Sequence, residues 1–194
     1  MPESTVLQNL RLDTDGQYKN VPGETTGINL DPYYSQKRLR IALVSYRSNP
    51  HCGGQGIYVK YLSKALADLG HHVDVISGEP YPDLDSGVGF IPLNGLNLYN
   101  YSRSIHAIKQ RGIKSGIDFF EWFSFISGGF PEPLTFGERL ARFMRDRAQD
   151  YDIIHDNQSL CYGLLKLQNL NLPVLSTIHH PITKDLKYAL AHEP

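Results

Sequence analysis

Three polar clusters carry groups able to bind a ligand. Pro50-His51-Cys52-Gly53-Gly54-Gln55-Gly56 lies between an apolar run and an amphipathic one, His155-Asp156-Asn157 follows Ile153-Ile154, and His179-His180 follows Val174 to Ile178. A glycine loop entering a helix offers unpaired N–H groups at the positive end of the helix dipole. Gly53, Gly54, Gln55 and Gly56 can therefore admit a phosphate without side-chain obstruction, or simply form a tight turn. His155, Asp156 and Asn157 supply donors and acceptors suited to sugar hydroxyls, or cap a helix beginning near Ser159. His179 can bond a ligand hydroxyl or stabilise negative charge, or it can be a solvated histidine. His180, restrained by Pro181, reads as its structural partner and completes the candidate sugar-binding set.

Other chemistries lack the spacing they need. No Gly-Lys-Ser/Thr follows the glycines, so they are not a nucleotide-triphosphate loop. Gly54 and Gly56 have dinucleotide-fingerprint spacing, but Val59 occupies the third small position; Glu79 can still serve as a ribose-binding acid, which keeps an oxidoreductase or epimerase reading open. The histidines fit no HExxH or Cys/His pattern, so no metal is expected, and no Gly-x-Ser-x-Gly elbow is present. Cys52 and Cys161 form no CxxC pair and read as free thiols of a reducing cytoplasm.

The elements that must position these clusters follow from periodicity. Leu39 to Ser45 reads as a buried first strand, Ile57 to Leu69 as an amphipathic helix stopped by Gly70, and His72 to Ser77 as a second strand. This order opens a right-handed βαβ unit. A third strand is expected at Val88–Leu93, while Asn94–Gly116 gives no firm element. Ile117–Ile126 reads as a helix with Phe119, Trp122, Phe123 and Ile126 in the core; Phe120 and Phe125 lie elsewhere, available to cover an apolar acceptor or touch a membrane. Thr135 with Glu138 reads as a capping box opening a helix to about Gln149. Tyr151–His155, Leu160–Leu170 and Pro173–Ile178 complete the pattern as strand, helix and strand. The alternation predicts an α/β, Rossmann-like parallel sheet with helices on both faces and strand order 3-2-1-4-5. All three clusters would then meet at the carboxyl rim.

A chain of 194 residues has room for one such domain, assigned to 39–194, plus a polar, flexible extension over 1–38. Nineteen Lys and Arg against twenty Asp and Glu leave a net charge of −1, no basic excess for nucleic acid. No apolar stretch reaches the roughly 18 residues of a membrane span.

Arg40–Tyr46, Cys52–Val59 and Leu62–Val75 together resemble the amino-terminal half of family 4 retaining glycosyltransferases of the GT-B fold. Gly128-Gly129-Phe130-Pro131-Glu132-Pro133, Tyr151–Leu160 and Leu172–Thr183 resemble one bacterial branch of that family. The likeness covers roughly residues 39 to 185 and implies transfer of a hexose from a nucleotide-sugar to an acceptor hydroxyl with retention and without a cofactor. It implies that Gly53 and Gly54 approach the donor phosphates and that His179 faces the donor sugar as the catalytic residue. The acceptor is expected to be a sugar or lipid-linked sugar, and the setting cytoplasmic, peripheral to the inner membrane face. The two glutamates separated by seven residues that hold the nucleotide in such enzymes have no counterpart in this sequence. The chain is therefore expected to be the acceptor-side domain of a longer or truncated protein, with little activity alone. A non-catalytic sugar-binding module is the remaining alternative.

Overall fold

The computed structural model describes residues 10–12, 18–20, 37–51, 54–98, 112–159 and 161–179. The chain divides into two units after Lys37. In the first, β1 (Leu10–Leu12) pairs antiparallel with β2 (Tyr18–Asn20), Leu10 opposite Asn20. The polar composition of this stretch gives no sign of that pairing.

The second unit contains β3 (Arg40–Ser45), α1 (Gly54–Asp68), β4 (His72–Ser77) and β5 (Gly89–Pro92), then α2 (Gly116–Ile126) and α3 (Glu132–Arg145). β6 (Ile153–Asn157), α4 (Gly163–Leu167) and β7 (Val174–Thr177) follow. The five strands form one parallel sheet in the order β5-β4-β3-β6-β7, the doubly wound order expected from the alternation. Strand order reverses between β3 and β6, where Val44 lies opposite Asp156.

β3 is apolar on both faces because both are covered. Ile41 and Leu43 pack with Val73, Val75 and Val59 of α1, whereas Ala42 and Val44 pack with Ile76, Ile154 and the α3 residues Leu140 and Met144. Leu140 and Met144 are completely buried, each contributing about 1.5–3 kcal/mol of hydrophobic stabilisation. Two close approaches require glycine. A side-chain carbon at Gly56 would overlap the Asn49 carbonyl, and one at Gly163 would overlap the backbone of Gly137, so α1 seats on the β3–α1 loop and α4 crosses α3 at backbone contact.

Several boundaries differ from the sequence reading. α1 begins at Gly54, so Gly54, Gln55 and Gly56 form its first turn instead of a preceding loop. α3 begins at Glu132 with Pro131 as its N-cap residue, and Thr135 is no cap: it is buried inside the helix, its hydroxyl donating to the Pro131 and Glu132 carbonyls. Pro131 and Pro133 favour an earlier start because the first turn has no use for their missing N–H. α3 ends at Arg145 and is followed by a 3-10 turn at Ala148–Asp150, and only Gly163–Leu167 of the 160–170 segment is α-helical. β6 runs through Asn157, which places Asp156 and Asn157, as well as His155, within the strand instead of Asp156 and Asn157 after it.

The core face expected for α2 is also corrected. Phe119, Phe123 and Ile126 are about half exposed, Trp122 and Phe125 pack against Leu96 and Leu98, and the buried residue is Glu121. Glu121 turns inward because its carboxylate accepts from the Leu96 N–H at 3.2 Å and pairs with Arg139 at 2.5 Å. Arg139 also reaches Asp118 at 2.7 Å.

Candidate functional site

Side chains alternate across a strand, and the length of β6 decides which face each cluster residue takes. His155 and Asn157 fall on the α1 face. Asp156 faces the other way, where it accepts from the Ser159 N–H at 3.1 Å; this is not the helix cap of the sequence reading, because α4 begins only at Gly163, with Tyr162 as its N-cap residue and no side-chain cap. Burial raises the Asp156 pKa, partly offset by hydrogen bonds from Ser159 and Ser176.

On the α1 face the last pair of the ladder is Asn157 opposite Thr177, two residues before His179. The His179 Nε2 lies 2.6 Å from the Asn157 Oδ1, and the His179 N–H donates to the Gln158 Oε1 at 2.7 Å. Gln158 is buried and left-handed, with φ 48°. Asn157, with no exposed surface, donates from Nδ2 to the Ser45 hydroxyl at 3.4 Å, and Ser45 donates onward to the Arg47 carbonyl at 2.8 Å. His155 meets the Thr177 hydroxyl at 2.7 Å; burial lowers its pKa, opposed by the charge of Asp156, so this imidazole favours the neutral form.

Tyr58, one helical turn after Gly54 on α1, closes the cluster. Its ring stands edge-to-face on His179, centroids 4.7 Å apart, and its hydroxyl lies 3.4 Å from Thr177. The structure thus brings His155, Asn157 and His179 together beside the start of α1. Gly54 is exposed, with open space where a side chain would project, Gln55 is half-buried, and Gly56 is committed to packing on Asn49. Gly53 and His180 lie outside the described residues, as does Cys52. Tyr58, Thr177, Ser45 and Gln158 were not singled out from the sequence. Tyr58 left one signal, a hydroxyl on the apolar stripe of α1 that needs a partner; the others acquire meaning only through residues more than 15 positions away.

This arrangement can do two things chemically. The first turn of α1 can present backbone N–H groups to an anion, and His179, exposed and held at two points, can bond a neutral hydroxyl. Among the described residues no group of three or more His, Cys, Asp or Glu is placed to hold a metal. Cys161 is buried, which raises its thiol pKa and disfavours the thiolate a nucleophile needs. Beyond β5, the Glu121–Arg139–Asp118 cluster lies beside Gly95, and the Arg47 guanidinium sits 5.1 Å from the Tyr46 ring and 5.5 Å from that of Phe130.

The model of Glycosyltransferase Family 4 matches residues 52–193. MMP alpha-(1->4)-mannosyltransferase of Mycolicibacterium hassiacum is 46% identical over 154 residues, 79% of this chain and 38% of that protein. The chain thus spans well under half the length of this relative. No helix among the described residues is long and apolar enough to cross a membrane. A parallel sheet of doubly wound order, with the family model matched from the glycine loop to beyond His179, makes this chain a member of glycosyltransferase family 4.

Proposed function

We propose that this chain is the acceptor-side, amino-terminal domain of a retaining hexosyltransferase, and that its donor is a nucleotide-sugar held largely by a carboxyl-terminal domain. The observation that carries the reading is the imidazole of His179 fixed against Tyr58, one turn along α1 from Gly54, so that a group suited to the sugar and a helix start suited to the diphosphate belong to one rim. In the reaction the C1–O bond to the diphosphate breaks, and the acceptor oxygen bonds to C1 on the same face. The acceptor's proton leaves on the diphosphate. Backbone amides of Gly53, Gly54, Gln55 and Gly56 stabilise the departing charge, His179 contacts the donor sugar, and His155, Asn157 and His180 serve the sugar site directly or through His179. Resident metal or cofactor has no part in this scheme.

The activity that the relative's name states, α-(1→4)-mannosyl transfer, makes nucleotide-activated mannose the first donor to test. The chain joined to a family nucleotide-binding domain should transfer labelled mannose to an oligosaccharide acceptor, and His179→Ala should lower kcat/KM about tenfold or more. Transfer indifferent to His179→Ala overturns the assignment of His179. Binding of acceptor without any transfer supports the non-catalytic sugar-binding module instead, and tight binding of a nicotinamide cofactor would revive the dinucleotide reading.

A peripheral contact with the inner face of the cytoplasmic membrane is a second element of the proposal. Its support is the row of exposed side chains Phe119, Phe120, Phe123 and Ile126 on α2. Co-sedimentation with anionic phospholipid vesicles should fall when Phe119 and Phe123 are both replaced by Asp; unchanged sedimentation removes the membrane contact.

A further inference from the structure

We infer that Asn157 is a positioning residue that fixes the ring tautomer of His179, so that its Nδ1 lone pair is presented as a hydrogen-bond acceptor for a sugar hydroxyl. This rests on the reading of His179 as a donor-sugar contact and specifies what that contact recognises.

The argument follows the protons. The Ser45 hydroxyl has a single proton, which it gives to the Arg47 carbonyl, so towards Asn157 it can only accept. Asn157 therefore turns its NH2 to Ser45 and its carbonyl oxygen to His179. A carbonyl oxygen accepts only, and at 2.6 Å it requires a proton on the His179 Nε2. In the neutral ring the remaining nitrogen, Nδ1, then carries the lone pair. Reversing the chain would turn the Ser45 proton away from the Arg47 carbonyl.

The ring is also held against rotation. Tyr58 stands edge-on to it at an interplanar angle of 84°, and Gln158 holds the His179 backbone N–H. The described residues offer Nδ1 no partner, and His179 is exposed. A lone pair at Nδ1 attracts an O–H and repels a phosphate oxygen, so it selects the sugar, and the anion is left to the amides of α1. Asn157 acts through His179 and needs no ligand contact of its own.

The test is a long-range proton–nitrogen correlation spectrum of the full chain labelled with nitrogen-15 histidine. The His179→Ala spectrum identifies which of the eight histidines is which. The expected result is a neutral His179 protonated at Nε2, with an unprotonated Nδ1. Asn157→Ala should scramble this into a mixture of tautomers and lower kcat/KM about tenfold in the protein joined to its nucleotide-binding domain. Asn157→Asp, which keeps an acceptor oxygen at the same place, should retain the Nε2–H form. A wild-type ring protonated at Nδ1 overturns the inference without any variant, and so does an unchanged tautomer in Asn157→Ala. An Nε2–H ring that depends on Asn157 supports it even if His179→Ala leaves transfer intact; in that case it is the sugar-contact reading that falls.

Discussion

At the β6–β7 end of the carboxyl rim, Ser45, Asn157 and His179 are joined by hydrogen bonds with no carboxylate or guanidinium among them; beyond β5, Asp118, Glu121 and Arg139 are joined by charge. Both corners are polar and both tie elements distant in sequence. The neutral corner sets directions: which atom donates, which accepts, and where a lone pair points. The ionic corner sets positions, holding α2 against α3 and against the Leu96 backbone at the cost of burying a carboxylate. A ligand-exchange surface benefits from the first arrangement, because neutral groups can be satisfied in turn by water and by sugar. A scaffold benefits from the second, because one missing partner leaves an uncompensated charge.

The largest expected effect tests the ionic corner. Glu121→Ala should cost about 3–5 kcal/mol in urea unfolding, since Arg139 loses its most buried partner, whereas Glu121→Gln should cost less because an oxygen still accepts from Leu96. If Glu121→Ala were no worse than a single lost neutral hydrogen bond, the contrast between the corners would disappear. Next comes packing common to both: Gly163→Ala should destabilise by about 1–3 kcal/mol because the Gly137 backbone occupies the space its methyl needs, while Gly54→Ala, with open space around it, should be tolerated. At the neutral corner Ser45→Ala should cost only about 1 kcal/mol, yet shift the ring signals of His179.

The smallest effect is one of slope with pH. Burial alone would raise Asp118, but hydrogen bonds from Arg139, Ser115 and the Lys114 N–H outweigh it and hold its pKa below the usual carboxylate range. Its folded value being depressed, Asp118 contributes stability that is present above the unfolded pKa and lost as pH falls through the folded one. Asp156 has the opposite sign. Its raised folded value makes ionisation a cost above that value, relieved as pH falls through it. Thermal melts between neutral and acid pH should therefore show a flatter acid limb for Asp118→Asn and a steeper one for Asp156→Asn.

The strands and their order were legible because a sheet buried on both faces writes itself as apolar runs such as Ile41–Val44, and the alternation with helices leaves few topologies. The convergence of Asn157 and His179 followed from that order. Which face each residue takes did not, because the polar end of β6 is stabilised by Ser45, Thr177 and Ser176 from other strands, and no local pattern announces them. The α2 face was misread for the same reason. Glu121 is buried by Arg139, 18 positions further on, and helical periodicity counts apolar residues only. Thr135 failed as a cap because the prolines before it, with no N–H to lose, start the helix earlier.

Gln158 carries a consequence for how His179 moves. The backbone ladder between β6 and β7 stops at Asn157 and Thr177, but the Gln158 amide oxygen takes the place of a main-chain carbonyl and adds one more rung, at His179. The histidine is thereby coupled mechanically to the sheet, and a hydrocarbon side chain at Gln158 would uncouple the two without touching the imidazole.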